Sequence, residues 1–335
     1  MSQRNSVYFV RPYQVEVKSE PLPAIGAREV LIQTAVSAIS AGTELLFYRG
    51  QVPAGMAVDA SIKSMDHSVQ YPLTYGYCSA GEVIATGCDV DATWLGRRVF
   101  AFHPHTSAFV ADPSSLLPIP DSLSYEQAVF LPNMETAVNF VMDARPLFGE
   151  RVTIFGLGVV GLLTLHLLRK FPLSQLLGVD SYAKRRAIAG AWGADVVLAP
   201  GALDTQQDFD PDLILELSSN PAALSSAIQL AGYGTRILVG SWYGDKLASL
   251  PLGGRFHRNR VQIISSQVST LDGQLSNRWS KARRLESAWT HLHSLPIDEL
   301  ITHRIPIESA SDAYHLLDTQ PDQALQILLT YESLN

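Results

Sequence analysis

The stretch Arg151-Val-Thr-Ile-Phe-Gly-Leu-Gly-Val-Val-Gly161 decides the fold. Its first five residues form a β-like run that ends at Phe155, and an apolar stretch of helical spacing, Val159 to Lys170, follows the glycines. Glycines spaced in this way between a strand and a helix are typical of a dinucleotide-binding turn. The first glycine permits the turn, the second lets the backbone approach a pyrophosphate, and the third lets the helix pack closely. We therefore expect a pyrophosphate at the helix N-terminus.

An acidic residue, Asp180, ends the next predicted strand, roughly 20 residues beyond the glycines. A carboxylate at this point accepts hydrogen bonds from the adenosine ribose and repels a 2′-phosphate. The sequence thus predicts NAD, while the nearby Lys184, Arg185 and Arg186 leave NADP open.

Apolar runs alternate with helical segments through the second half of the chain, which is typical of parallel strands joined by right-handed crossovers. We predict a doubly wound α/β Rossmann sheet of strand order 3-2-1-4-5-6. The six predicted strands are Val152–Phe155, Leu176–Val179, Val196–Leu198, Leu213–Leu217, Arg236–Val239 and Val261–Ser265.

The first third of the chain has short β-like runs punctuated by Pro and Gly, and it predicts a mostly β domain. Helical spacing follows over residues 124–142, and two helices and two strands are expected after residue 281. We expect one domain over residues 1–135 and 268–335 and a second over 136–267. The excursion from Gly50 to Tyr71 is predicted to be a long loop that could serve a bulky substrate.

The composition favours a two-domain enzyme of 335 residues. A net charge of −7 argues against nucleic acid or an anionic membrane as partner. The basic run Lys281–Arg284 is expected to be a solvated helix face. Two cysteines, Cys78 and Cys88, cannot form a disulfide framework, and no signal-peptide pattern begins the chain, so a cytoplasmic location is expected.

Several segments occur in the order typical of one superfamily: Ala41-Gly-Thr-Glu44, Gly76-Tyr-Cys-Ser-Ala-Gly-Glu-Val83, Gly96-Arg-Arg-Val99 and then the glycine turn. Over nearly its whole length the chain resembles the medium-chain dehydrogenase/reductases, which are alcohol dehydrogenase-like. The resemblance implies a GroES-like, mostly β catalytic domain beside the Rossmann domain, a nicotinamide cofactor, a small-molecule substrate and a homodimer. Leu217-Ser-Ser219 and Val239-Gly-Ser241 resemble the superfamily's two cofactor-binding loops. The predicted cofactor contacts are Gly156, Leu157, Gly158, Val159, Val160, Gly161, Asp180, Ser181, Arg185, Ser218, Val239, Gly240 and Ser241.

The nearest likeness within the superfamily is to the dehydrogenase type that oxidises the hydroxyethyl side chain of bacteriochlorophyllide. It is carried by Ser40-Ala-Gly-Thr-Glu44, Tyr48-Arg-Gly50 and Tyr71-Pro-Leu-Thr-Tyr-Gly-Tyr77. These matches lie in the first domain and do not identify the substrate.

The chain departs from the zinc alcohol dehydrogenases at their metal ligands. Where those enzymes carry Cys, and then a His-Glu pair, this chain has Ala41, Tyr77 and Cys78. A catalytic zinc needs three protein ligands, so we predict no zinc.

Without a metal, the substrate oxygen must be held by hydrogen-bond donors and its proton handled by a side chain. Thr43 matches the superfamily's proton-relay hydroxyl. Tyr77 is either an acid or a packed aromatic, and Glu44 is expected to brace the pocket. Asn133 and Glu135 are secondary candidates for the catalytic site, with helix capping as the alternative. His103 is a further candidate, and the alternative is that it lies with His105 on an exposed loop.

The predicted function is zinc-independent, NAD(H)-dependent interconversion of a secondary alcohol and a ketone. An NADPH-dependent enoyl or quinone reductase is a second hypothesis, which Asp180 opposes. A non-catalytic nucleotide-binding protein is a third, and the polar candidates Thr43 and Tyr77 oppose it.

Overall fold

The structure is a computed structural model that describes residues 3–58, 68–205 and 209–332. Within these residues the strands are β1 (Gln3–Arg11), β2 (Gln14–Pro21), β3 (Val30–Ala38), β4 (Ser79–Thr86), β5 (Arg98–Ala101), β6 (Ala108–Ala111), β7 (Leu117–Pro118), β8 (Arg151–Phe155), β9 (Gln175–Val179), β10 (Val196–Leu198), β11 (Leu213–Glu216), β12 (Arg236–Val239), β13 (Gln262–Ser265), β14 (Ile301–Pro306) and β15 (Gln326–Thr330). The α-helices are α1 (Ala41–Arg49), α2 (Tyr125–Ala128), α3 (Leu131–Ala144), α4 (Val159–Leu168), α5 (Ala183–Ala191), α6 (Pro221–Leu230), α7 (Lys281–Leu292) and α8 (Ala310–Thr319). No helix in these ranges is both long and apolar enough to cross a membrane.

The chain divides into two compact units. The first comprises residues 1–132 and 289–335, and the second comprises residues 133–288. The sequence-based boundaries, after residues 135 and 267, remain predictions of the functional domains, and the two divisions differ mainly in the assignment of residues 268–288.

The second unit is built on a six-stranded sheet of order β10-β9-β8-β11-β12-β13, and every neighbouring pair is parallel. This is the predicted 3-2-1-4-5-6 order, so the doubly wound α/β prediction is confirmed. Leu177, Ile214 and Ile237 are fully buried in the sheet, as expected for strands covered on both faces. In the sheet register, Phe155 pairs with both Val179 and Glu216, so these strands end together at one edge.

The first unit contains a sheet of order β14-β15-β3-β4-β5-β7, in which β6 also pairs with β3, and a separate β1-β2 hairpin. Among the described strands of this unit, only the β14-β15 pair is parallel. Val30, Ile32, Val83, Val99 and Phe109 form its core. The mostly β character predicted for the first domain is confirmed.

The helix predicted over residues 124–142 is interrupted. Ser124 begins α2 with a capping box to Gln127, and the helix ends after one turn. Helix α3 then starts at Leu131 with Pro132 in its first turn, where the missing N–H leaves no hydrogen bond unmade. The sequence also did not predict α1, which follows Ser40.

The basic run at the start of α7 is a solvated face only in part, and the expectation is wrong for Arg284. Lys281 and Arg283 are exposed, but Arg284 is 0% exposed. Its guanidinium donates to Glu135 Oε1 at 2.9 and 3.1 Å and to the Asn139 side chain. A buried partner on α3 therefore decides the position of Arg284, which a local charge pattern could not reveal.

Candidate active site

At Gly156 and Gly161, the glycine turn in the second unit is packed too closely for a side chain. Gly156 has a φ of +92°, and a Cβ there would lie 2.6 Å from the backbone nitrogen of Ser218. A Cβ on Gly161 would lie 1.9 Å from the carbonyl oxygen of Gly156. The turn therefore contacts the loop after β11 on one side and α4 on the other. Gly158 is the N-cap of α4, which begins at Val159 and Val160.

Asp180 lies directly against this turn. Its Oδ2 accepts from the backbone N–H of Leu157 at 2.8 Å, and its Oδ1 accepts from that of Tyr182 at 2.8 Å. The Arg185 guanidinium lies 3.9 Å from Oδ2, while Ser181 is exposed. These two hydrogen bonds fix the Asp180 carboxylate beside the glycine turn, which is the position of the ribose-binding acid in a Rossmann domain.

The loops after β11 and β12 meet at the same sheet edge. Ser241 Oγ accepts from the backbone N–H of Ser219 at 2.8 Å, and the N–H of Gly240 donates to the Glu216 carbonyl at 3.0 Å. Val239 ends β12 immediately before this contact. The predicted cofactor contacts around Ser218 and Ser241 are therefore neighbours.

Sequence reasoning missed Glu216, which is fully buried at the end of β11. Its Oε1 accepts from the backbone N–H of Ser218 at 2.9 Å, and its Oε2 accepts from the Tyr243 hydroxyl. Burial, followed by the Glu216 charge, raises the pKa of Tyr243, so the tyrosine keeps its proton. A lone acid ending the apolar run Leu213–Glu216 was the available signal.

The residues of this edge fit a nicotinamide dinucleotide. The N-terminus of α4 suits a pyrophosphate, because the first N–H groups of a helix have no partner within the helix. At Gly158 a Cβ would meet only the Arg185 guanidinium, at 3.8 Å, so the backbone there is accessible. Asp180 supplies a carboxylate beside the turn.

In the first unit, the hydroxyls of Ser40, Thr43 and Tyr77 form a cluster. The Tyr77 hydroxyl donates to Ser40 Oγ at 2.5 Å and to Thr43 Oγ1 at 3.3 Å. Burial raises the pKa of Tyr77, so its phenol stays protonated near neutral pH. The structure thus brings together Thr43 and Tyr77, which the sequence had only proposed separately.

Ser40 is the N-cap residue of α1, yet its side chain makes no capping hydrogen bond. A serine in this position normally accepts from a backbone N–H in the first helical turn. Here its oxygen accepts from Tyr77 instead, while the backbone N–H of Ser40 donates to Glu44 Oε1 at 2.7 Å.

Beneath this cluster, Glu44 is fully buried and accepts three hydrogen bonds. Besides Ser40, His105 Nε2 contacts Glu44 Oε2 at 3.0 Å and the Tyr314 hydroxyl donates to the same oxygen. The bracing role expected for Glu44 agrees with this arrangement and stays a prediction. Tyr314 was not predicted as a site residue, and nothing in the sequence around His105 or Tyr314 pointed to Glu44.

The two histidines of the His103-Pro-His105 segment lie in different surroundings, and the alternative that they lie on an exposed loop is wrong. The chain leaves β5 at Ala101, and the alternation of a strand does not continue to residue 105. His105 is fully buried, whereas His103 stacks on Phe109 with ring centroids 3.9 Å apart. Burial lowers the pKa of His103 to about 4.

Asn133 and Glu135 lie buried on α3, in the second unit. Burial raises the pKa of Glu135, and the guanidinium of Arg284 opposes that rise. The polar partner of Glu135 is therefore Arg284, which lies on helix α7.

The residues at the superfamily's zinc position do not fit a tetrahedral zinc. Ala41 offers no ligand, the Tyr77 hydroxyl donates to Ser40, and burial raises the pKa of the Cys78 thiol. Within residues 3–58, 68–205 and 209–332, no three His, Cys, Asp or Glu side chains are grouped to hold a metal.

No protein-family model matches the chain. A D-guloside 3-dehydrogenase of Escherichia coli (strain K12) is 25% identical over 333 residues, which cover 92% of this chain and 94% of that protein. A solved short chain alcohol dehydrogenase of Escherichia coli CFT073, complexed with NADH, has a TM-score of 0.77 at 19% identity, over 98% of this chain and 100% of its own. The galactitol-1-phosphate dehydrogenase of Escherichia coli has a TM-score of 0.77 at 19% identity, over 97% and 99%. These structures share the fold predicted from the sequence, a GroES-like domain with a Rossmann domain.

Proposed function

We propose that this chain, an NAD(P)-dependent oxidoreductase of the medium-chain dehydrogenase/reductase type, interconverts a secondary alcohol and a ketone without zinc. The observation that carries the proposal is the hydroxyl cluster of Ser40, Thr43 and Tyr77. In the sequence resemblance, Tyr77 takes the place of a zinc-ligand histidine. A bound nicotinamide ring supplies the hydride acceptor for the alcohol and the hydride donor for the ketone.

Thr43 contacts the substrate oxygen in this proposal. In ketone reduction its O–H gives a proton to that oxygen as negative charge develops, and the Tyr77 O–H restores the proton across their 3.3 Å contact. An alkoxide is a stronger base than a phenolate, so this transfer is favourable even with the raised pKa of Tyr77. After ketone reduction Tyr77 regains a proton from the Ser40 hydroxyl, which it contacts. In alcohol oxidation the relay runs in reverse: Tyr77, which is protonated, passes its own proton to Ser40 Oγ as it accepts one from Thr43. Ser40 fixes the phenol, and donors already in place need no reorganisation during reaction.

The second unit binds the cofactor at Gly156, Gly158, Gly161 and Asp180. We infer a preference for NAD, because a 2′-phosphate would meet the Asp180 carboxylate, which two backbone N–H groups hold in place. The Arg185 guanidinium, 3.9 Å from Asp180 Oδ2, is the feature that favours NADP, because it can pair with a 2′-phosphate.

The substrate is proposed to be a polyhydroxylated small molecule oxidised at a secondary hydroxyl, in keeping with the relative that acts on a D-guloside. The likeness to the bacteriochlorophyllide type, the cytoplasmic location and the bulky substrate remain predictions. Residues 59–67 of the Gly50–Tyr71 excursion lie outside the described part of the chain.

The test is an assay of NADH formation with glycosides, cyclitols and tetrapyrroles, compared with NADPH formation. We expect Tyr77→Phe to lower kcat about 10²-fold, as for loss of a general acid, and Thr43→Ala to lower kcat and raise KM. Tyr233→Phe is the matched control, because Tyr233 is 74% exposed.

Three outcomes would contradict parts of the proposal. Unchanged turnover in both Tyr77→Phe and Thr43→Ala would reject the catalytic assignment. Stoichiometric zinc by elemental analysis, with activity lost to a chelator, would reject zinc independence. A strong preference for NADPH would reject the cofactor assignment and favour the reductase hypothesis.

We also propose that the chain forms a homodimer through the edge strand β13. Among the described strands β13 pairs only with β12, and its Ile263 is 38% exposed. An open strand edge with an exposed apolar residue is a ready template for pairing with a second copy. Light scattering should give twice the monomer mass, and Ile263→Lys should shift the mass toward the monomer. A monomeric wild-type protein at micromolar concentration would reject this.

A further inference from the structure

His105 and its neighbours form a buried hydrogen-bond line that the proposed reaction does not use. Its Nε2 contacts Glu44 at 3.0 Å, and its Nδ1 contacts Ser37 Oγ at 2.6 Å. Ser37 Oγ in turn contacts the Tyr331 hydroxyl at 2.6 Å. Both ring nitrogens are therefore bonded, and the ring is 0% exposed.

One tautomer satisfies every member of this line. Glu44 as a carboxylate only accepts, so Nε2 carries the proton and Nδ1 accepts from Ser37. Ser37 then accepts from Tyr331, whose pKa is raised by burial and which therefore keeps its proton. With its two nitrogens committed, the His105 ring cannot rotate.

Two routes connect the His105 ring to Tyr77. The first passes through Glu44 to the backbone N–H of Ser40, whose side-chain oxygen accepts from Tyr77. The second passes through Gly76, the residue before Tyr77. Gly76 has a φ of +119°, and a Cβ there would lie 2.6 Å from the His105 ring.

We propose that His105 is a positioning residue that sets the Tyr77 hydroxyl for proton transfer. The proposal rests on the proposed function, since it assigns His105 a part in the same reaction. His105 acts through Glu44 and Gly76 and does not contact the reacting atoms.

The decisive comparison is between His105→Gln and His105→Asn. The Gln amide reaches the position of Nε2 and can still donate to Glu44, whereas the Asn amide reaches only the position of Nδ1. We expect His105→Asn to lower kcat about 10²-fold, as for a displacement of about 1 Å at a reacting group. His105→Gln should recover most of that loss, with KM nearly unchanged in both.

A second readout does not depend on activity. In protein labelled with ¹³Cζ-tyrosine, the Tyr77 signal is assigned by its loss in Tyr77→Phe. That signal should move in His105→Asn and stay near its wild-type position in His105→Gln. His293→Gln is the matched control, because His293 is an exposed histidine of the same unit. Melting temperature and NADH affinity are measured for each variant, and NADH affinity should be unchanged.

Equal kcat losses in both variants with an unmoved Tyr77 signal would overturn the proposal, because that pattern indicates a structural role alone. Wild-type kcat in His105→Asn would also overturn it. If His105→Asn does not fold, Ser37→Ala removes the hydroxyl that holds Nδ1, and an unmoved Tyr77 signal there would reject the proposal. Should the wild-type protein oxidise no alcohol, the proposed function fails, while the Tyr77 signal still decides the role of His105.

Discussion

Removing the guanidinium of Arg284 should strongly destabilise the second unit. Arg284 is 0% exposed and donates to Glu135, to Asn139 and to the carbonyls of Val268 and Thr270. In Arg284→Met the Glu135 carboxylate, 3% exposed, loses its cation. Breaking a buried pair in this way costs about 3–5 kcal/mol. For a unit of this size, that corresponds to a fall in Tm of about 6–20 °C.

The loss should depend on pH with a defined sign. Burial already raises the pKa of Glu135 above its ordinary value, and removal of Arg284 raises it further. At pH values between the ordinary carboxyl pKa and the raised pKa of Glu135, the folded state binds more protons than the unfolded state. The free energy of unfolding therefore falls as pH rises through this interval. Arg284→Met should therefore lose less stability at pH 5 than at pH 8.

Urea unfolding, monitored by circular dichroism at pH 5 and pH 8, measures the loss of unfolding free energy and its dependence on pH. Arg283→Met is the matched control, because Arg283 is exposed and its guanidinium lies 4.2 Å from the Trp279 ring centre. It should change stability by about 1 kcal/mol or less. A loss below about 1 kcal/mol in Arg284→Met, or an equal loss at both pH values, would refute the reasoning.

Three further outcomes are expected. Gly158→Ala should keep the wild-type Tm but weaken NADH binding, since a Cβ there meets only the Arg185 guanidinium at 3.8 Å. Gly161→Ala should lower both the Tm and the NADH affinity. Calorimetry measures the Tm and the NADH affinity of each variant, and equal Tm values for the two variants would contradict this prediction. His103→Gln should flatten the rise of stability between about pH 4 and 6.5, because the unfolded histidine binds more protons there, and unfolding midpoints at pH 4.5 and 7 check it. Tyr243→Phe should cost about 1.5–3 kcal/mol by removing a donor to buried Glu216, and an unchanged unfolding midpoint would show that water replaces the hydroxyl.

The second unit could be predicted largely from sequence because its signals are local. Strand, glycine turn and helix follow one another around Gly156, and continuous apolar runs identify buried parallel strands. The predicted β12, Arg236–Val239, agrees with the structure at both ends. Across the start of that unit, apolar spacing alone predicted one continuous helix over residues 124–142, whereas the structure has two, α2 ending at Ala128 and α3 starting at Leu131 with Pro132 in its first turn.

The polar network of the first unit could not be predicted, because its members are far apart along the chain. Glu44 and Tyr314 are separated by 270 positions, and Ser37 and Tyr331 by 294. Tertiary packing alone brings them together. Thr43 and Tyr77 were identified only because the resemblance aligned Thr43 with a proton-relay hydroxyl and Tyr77 with a zinc ligand. No local pattern distinguished His105 from His103.

The unused cap at Ser40 bears on how this pocket can evolve. At the start of α1, the backbone N–H of Ser40 donates to the carboxylate of Glu44, four positions further along the chain, and the serine oxygen makes no capping hydrogen bond. If Tyr77 is exchanged for another residue, that oxygen becomes free to cap the helix in the ordinary way. The residue at 77 can therefore change with a new substrate while α1 keeps its first turn, which makes the site a tolerant place for mutation and for directed redesign.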